Sequence, residues 1–195
     1  MAETVVKDAL KEWAVTIKAL DEGKQVLLLR KGGIHEKQFK IDHDEFLLYP
    51  TFEHQRVDLL KPEFQDDLQA TLEPWGGHAP KELERSTVIF THFAQVVEVI
   101  EVMDREKVAA LEPHYIWTRD YAEKRLYWRP RHPLEAILVR VSRLQEPATV
   151  PVEPYFYGCR SWVELPAGAA LGTLTPVISE TRFHEMADAV REVLA

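Results

Sequence analysis

The order of strand-like and helix-like segments is the feature that most limits the folds open to this chain. The clearest strand is predicted over Glu135–Leu144, where Ile137, Val139 and Val141 alternate with side chains of the opposite face. Two further strands are predicted at Gln25–Lys31 and at Thr87–Val102. Helix-like segments do not alternate regularly with these strands. The sequence therefore predicts an α+β fold with a mixed or mainly antiparallel sheet and short flanking helices.

The N-terminal segment fits two patterns. Val6, Leu10, Trp13 and Ile17 recur at helical spacing, whereas the residues from Trp13 to Ala19 alternate as in a strand. We expect a short helix that gives way to a strand near Trp13.

The remaining helices are predicted from capping residues and prolines. Thr51 is placed to cap a helix that begins after Pro50, with Glu53 in its first turn. Further helices are expected from Pro62 onward, over Asp104–Leu111, over Thr118–Trp128 and at the C-terminus around Phe183 to Leu194.

Length and composition favour one globular domain over residues 1–195. The single cysteine, Cys159, cannot form an internal disulfide, and we find neither a secretory signal nor an apolar run that approaches the roughly 20 residues needed to span a bilayer. We therefore expect a cytoplasmic protein that does not enter the membrane. The net charge is −8, yet residues 24–40 hold five basic residues and one acid, and residues 119–143 hold seven basic residues and three acids. Positive charge is thus concentrated in two segments of an acidic chain.

The first basic segment contains a candidate anion site. Arg30 and Lys31 end a predicted strand and precede Gly32 and Gly33, whose backbone amides can cradle an anion. We predict that Arg30 and Lys31 meet a phosphate group. The structural alternative is a basic strand end followed by an ordinary glycine turn.

The second basic segment interleaves aromatic and cationic side chains, a pattern that suits nucleic acid because bases stack on rings while cations meet phosphates. We predict that Arg125 and Arg129 line the approach to a ligand and that Tyr121 or Trp128 stacks on a base. The leading hypothesis is a non-enzymatic module that binds a phosphate-bearing ligand, RNA or DNA, without a cofactor. The alternatives are that the aromatic residues are core anchors, or that the basic face docks on an acidic protein.

An enzymatic alternative stays open. In a metal-dependent phosphodiesterase or nuclease, His54 would be the general acid or base, and Glu45 and Glu53 would hold a divalent ion. Glu53 can instead complement a helix N-terminus, and His54 can bond back to Thr51. No zinc-binding or nucleophile motif is present, so the sequence leaves the choice between binding module and enzyme undecided.

Five sequence blocks carry a resemblance to known proteins: Glu12–Ala14, Leu27–Ile34, Phe46–Gln55, His114–Thr118 and Leu138–Leu144. Together they resemble a family of uncharacterised bacterial proteins catalogued as domain of unknown function 1802. The resemblance runs from Lys11 to Trp162, leaves the C-terminal connector and helix at residues 163–195 outside, and implies no activity. A shorter segment, in which Gly23 and Lys24 precede a strand that ends at Arg30, is similar to small RNA-binding barrels of the pseudouridine-synthase-and-archaeosine-transglycosylase type.

Overall fold

One mixed sheet of seven strands organises the computed structural model, which describes residues 4–31, 43–128 and 130–195. The strands are β1 (Val5–Trp13), β2 (Leu27–Arg30), β3 (Glu45–Thr51), β4 (Thr87–Val102), β5 (Leu134–Pro151), β6 (Trp162–Ala170) and β7 (Leu174–Pro176). Their order across the sheet is β2-β5-β4-β3-β1-β6, and β7 pairs with β5. Only β1 and β3 run parallel, and the other pairs among the described strands are antiparallel. This confirms the predicted α+β fold with a mainly antiparallel sheet.

Five helices flank the sheet in the described parts of the chain. They are α1 (Ala14–Asp21), α2 (Gln65–Leu72), α3 (Arg105–Ala110), α4 (Arg119–Tyr127) and α5 (Glu180–Leu194). The predictions for α2 to α5 are confirmed, and Asp104, Thr118 and Ser179 each accept a hydrogen bond from the first turn of the helix that they cap. Among the described residues, no helix is sufficiently long and apolar to cross a membrane.

Two local predictions near the start of the chain are wrong. At the N-terminus the strand comes first and the helix follows at Ala14, because β1 gains backbone partners from β3 on one side and β6 on the other. Sheet pairing thus overrides the helical spacing of Val6, Leu10 and Trp13. The helix expected after Pro50 is also absent. Pro50 lies within β3, and the Thr51 hydroxyl donates to the backbone oxygen of Glu12 at 3.0 Å instead of capping a helix.

The two longest paired strands bend the sheet. β4 and β5 pair along most of their length, with register shifts between Phe90 and His92 and between Val96 and Glu98. β5 also continues to Pro151, beyond the predicted strand end at Leu144, because its later residues still pair with β4. The sheet curls so far that Arg30, at the end of β2, donates to a backbone oxygen of β1, although three strands separate β2 and β1 in the sheet order.

Apolar side chains fill both faces of the curled sheet. Ile137, Val139 and Val141 lie in one buried cluster with Leu10 and Leu28, as their alternation predicts. The opposite face packs against the helices, and Leu138 belongs to that cluster. A third cluster lies between the N-terminal part of β4 and β6.

Candidate functional site

A cavity of about 340 Å³ opens where the end of β1 meets the end of β2 and three connecting segments. This volume lies near the lower end of the roughly 300–1,000 Å³ of typical ligand pockets. The lining residues are Lys11, Glu12 and Trp13 of β1, Arg30 of β2, Thr51 of β3, Phe52 to His54 after β3, Pro80, Glu82, Leu83 and Arg85 before β4, Arg125 of α4, and Tyr157 to Arg160 before β6. We call this space the basic cavity.

The basic cavity carries an excess of positive charge. Its described lining holds five cationic side chains, one each from Lys11, Arg30, Arg85, Arg125 and Arg160, against three carboxylates, which leaves a formal charge of +2. The whole protein has a net charge of −8. A positive concavity in an acidic protein attracts anions selectively, because its walls focus the local field.

Two of the cations are already paired and form the floor of the basic cavity. Arg30 lies 3.2 Å from a carboxylate oxygen of Glu12, and both side chains are buried. Lys11 is also buried, and its ammonium group contacts the Glu82 carboxylate and donates to the Gly158 oxygen at 3.2 Å. These contacts hold β1, β2 and two connecting segments together, so the floor is first of all structural.

The other three cations, Arg85, Arg125 and Arg160, have no carboxylate partner in the described part of the chain. Arg125 donates to the backbone oxygen of Leu29 at 2.7 Å, and its guanidinium carbon lies 5.0 Å from the centre of the Tyr121 ring. The Arg160 side chain is exposed. Guanidinium groups without a carboxylate keep donors available for an incoming anion.

Arg85 is the most constrained of these groups. It donates to the backbone oxygen of Pro50 at 3.0 Å, while its Nε is buried without a hydrogen-bond partner among the described residues. Its guanidinium carbon lies 5.8 Å from the ring centre of Tyr49, 5.3 Å from that of Phe52 and 5.9 Å from that of Trp75. Burial lowers the pKa of Arg85 below its usual range, an effect that the nearby Tyr49 and Glu82 oppose. The rings therefore hold a cation whose charge no ion pair with a described residue neutralises.

The structure brings together two of the three acid–base candidates. Glu53 and His54 both line the basic cavity. Glu45 lies at the other end of β3, roughly 20 Å from Thr51 at the strand rise of about 3.3 Å per residue, and accepts a hydrogen bond from Gln95 at 2.8 Å. Among the described residues, no group of three or more histidine, cysteine or acidic side chains is arranged to hold a metal ion. Glu45 and Glu53, the two residues predicted to hold a divalent ion in the hydrolase alternative, are thus too far apart to share one ion.

The predicted ligand-binding residues fall in different places. Arg30 and Arg125 line the basic cavity, whereas Lys31 lies outside its lining and donates to the Leu126 backbone oxygen at the end of α4. Burial lowers the pKa of Lys31. Gly32, Gly33 and Arg129 lie outside the described residues.

The two predicted stacking residues differ in exposure. The Tyr121 ring lies 5.5 Å from the Trp13 ring and 5.7 Å from the Trp117 ring, and burial raises its pKa. Trp128 is 51% exposed just beyond α4 and does not line the basic cavity. Stacking by either residue stays a prediction.

Sequence reasoning missed Lys11, Arg85 and Arg160 as site residues. Arg85 ends a proline- and glycine-containing segment whose charges have no pattern, and Arg160 follows a turn in the segment before β6. A weak signal was available for Lys11, since a lysine within an apolar strand needs a partner once it is buried.

Comparisons with known proteins place the chain in a family. The family model described as Domain of unknown function (DUF1802) matches residues 9–189, and no curated protein matches. Among solved structures, ASCH from Zymomonas mobilis is similar with 9% identity and a TM-score of 0.43, over 93% of this chain and 93% of that chain. A variant of that protein, in which one serine is replaced by alanine, gives the same identity and TM-score over 96% and 98%. Because the family model spans most of the sequence, the chain belongs to the DUF1802 family.

Proposed function

We propose that the basic cavity binds a phosphate-bearing ligand and that this ligand is a nucleotide unit of RNA or DNA. The observation that carries the proposal is the set of three guanidinium groups without a carboxylate partner among the described residues, in a cavity with a formal charge of +2. The bulk charge of the protein repels nucleic acid, so binding has to depend on this local site.

The chemistry of the lining suits a phosphate more than a carboxylate. Arg85, Arg125 and Arg160 come from separate segments and surround one space, so that they can donate to several oxygens of one tetrahedral group. Arg30 and Lys11 lie behind them and add positive potential although they already have partners. Trp13 provides a partly exposed aromatic wall against which a base or sugar can pack.

Charge reversal at Arg160 tests the proposal. Arg160 is exposed and forms no ion pair with another described residue, so Arg160→Glu should fold normally. We expect weaker binding of labelled single-stranded RNA and DNA, and a salt dependence whose slope falls by about one for the lost phosphate contact.

The matched control is Arg182→Glu on α5, which also reverses an exposed arginine but lies outside the basic cavity. Equal affinities of the Arg160 variant, the control and the unmodified protein would contradict the proposal. Titrations with Mg²⁺ or Mn²⁺ and with EDTA also show whether binding is followed by cleavage.

A second candidate, a phosphodiester hydrolase, is favoured by one observation, namely that Glu53 and His54 line the same cavity as the arginines. In that case His54 would move a proton at the reacting oxygen, with Arg85 or Arg160 on the phosphate. His54→Ala should then abolish cleavage and leave the affinity for the uncleaved nucleic acid nearly unchanged. Absence of cleavage by the unmodified protein under all metal conditions would remove this candidate.

A further inference from the structure

A second cavity, of about 460 Å³, lies directly beside the basic cavity. Phe52 and Arg85 line both spaces and therefore form the wall between them. We call the second space the aromatic cavity. Of the three arginines without a carboxylate partner among the described residues, Arg85 alone lines this second space, and neither Glu53 nor His54 lines it.

One side of the aromatic cavity presents rings and aliphatic groups to solvent. Trp75 is 44% exposed, and its ring centre lies 5.7 Å from that of Phe52. Ile89 is exposed on the same lining. An exposed tryptophan beside a second ring and a guanidinium group is the combination on which nucleobases stack.

The other side of the aromatic cavity is polar and held in place. The His92 side chain lies between two partners, with Nε2 at 2.7 Å from an Asp21 oxygen and Nδ1 at 2.8 Å from the Thr91 hydroxyl. Asp21 is anchored in turn by Arg143. His92, Asp21 and Thr91 all line the cavity. Both His92 nitrogens are already hydrogen-bonded, so the Asp21 carboxylate and the Thr91 hydroxyl are the groups that can bond the edge of a planar ligand.

We infer that the two cavities are subsites for two adjacent nucleotides of a single-stranded nucleic acid, with the connecting phosphate at Arg85. This inference rests on the proposed function and adds that the ligand is single-stranded and that two of its nucleotides bind. Adjacent nucleotides share one phosphate, and Arg85 is the cation that the two cavities share. A base enters such a space only when it is unstacked and unpaired, which excludes a regular duplex.

Calorimetric titration with 5′-phosphorylated mononucleotides and dinucleotides tests the inference. We expect dinucleotides to bind about 5- to 150-fold more tightly than mononucleotides, because a second base gains stacking energy. Trp75→Ala should weaken dinucleotide binding by about 5- to 150-fold, the range that corresponds to the loss of one stacked base. Trp75→Phe keeps a ring and should recover much of the affinity, and thermal unfolding of each variant confirms that it is folded.

Tyr155→Ala is the control, because Tyr155 is an aromatic residue of similar exposure (43%) that lines neither cavity. Equal affinity for mononucleotides and dinucleotides would overturn the inference and leave the proposed function standing. A loss of dinucleotide affinity in the Tyr155 variant but not in the Trp75 variant would also overturn it, as would equally tight binding of a duplex. Failure of every nucleotide and oligonucleotide to bind would overturn the proposed function itself.

Discussion

Glu135 should make the stability of this protein depend on pH between about 4.5 and 7. Glu135 lies on β5 opposite Arg30 of β2 and Glu101 of β4, is only 6% exposed, and its Oε2 is buried without a hydrogen-bond partner among the described residues. Burial and, to a lesser degree, the Glu101 charge raise its pKa from 4.5 to about 7, while Arg30 opposes the change. A carboxyl group with a raised pKa favours the folded state only while it is protonated.

The size of the effect follows from the two pKa values. One pKa unit corresponds to about 1.36 kcal/mol, so the difference between 4.5 and about 7 corresponds to about 3 kcal/mol. Below pH 4.5 the group is protonated in both states and contributes no penalty. Between pH 4.5 and 7 the free energy of unfolding falls, and above pH 7 the penalty stays constant. Glu135→Gln removes the charge and should therefore stabilise the protein at pH 8 but not at pH 4.

Urea unfolding of the Glu135→Gln variant and of the unmodified protein, measured at pH 4, 6 and 8, checks this prediction. The gain in free energy of unfolding should grow with pH and approach about 3 kcal/mol at pH 8. Glu101→Gln is the control, since Glu101 is exposed and its replacement removes only the smaller, electrostatic cause of the raised pKa. A gain in free energy of unfolding that is the same at all three pH values, or a larger gain in the Glu101→Gln control, would refute the reasoning.

Two further substitutions test contacts made by residues of β1. Gly168→Ala should destabilise the protein by more than Gly172→Ala, since both glycines have positive φ, but a Cβ at Gly168 would lie 2.4 Å from Val5 whereas one at Gly172 meets nothing within 4 Å. Thermal unfolding compares the two, and equal losses would contradict the expected clash. Lys11→Met should cost about 3 kcal/mol because it leaves the Glu82 carboxylate without its buried partner. Adding Glu82→Gln should recover part of that loss in urea unfolding, and a double variant as unstable as Lys11→Met alone would contradict the pairing.

The sequence predicts the elements whose signals are local. β4 begins and ends at the predicted residues, since its run of β-branched and aromatic side chains is long, and α3 and α4 begin after the capping residues Asp104 and Thr118. β1 was mispredicted because its partners come from distant parts of the chain, which no spacing within residues 5–13 reveals.

The residues of the candidate site likewise divide into those that local sequence patterns predict and those that they do not. Arg30 and Arg125 stand out in their own segments and do line the basic cavity. Arg85 and Arg160 have no local pattern, and they join the site only because the sheet curls and brings separate connecting segments to the end of β1. A site assembled from distant segments leaves little trace in any one of them.

The contacts of Lys11 join residues that are far apart in the sequence. Lys11 and Gly158 are 147 residues apart in the chain, and Lys11 and Glu82 are 71 apart. A chain emerging from the ribosome therefore lacks the floor of the basic cavity until most of it has been synthesised. Since a ligand of this cavity recognises the native state alone, it raises the melting temperature by an amount that grows with the ligand concentration. A thermal-shift screen of unlabelled oligonucleotides can thus test the proposed ligand class without any assumption about catalysis.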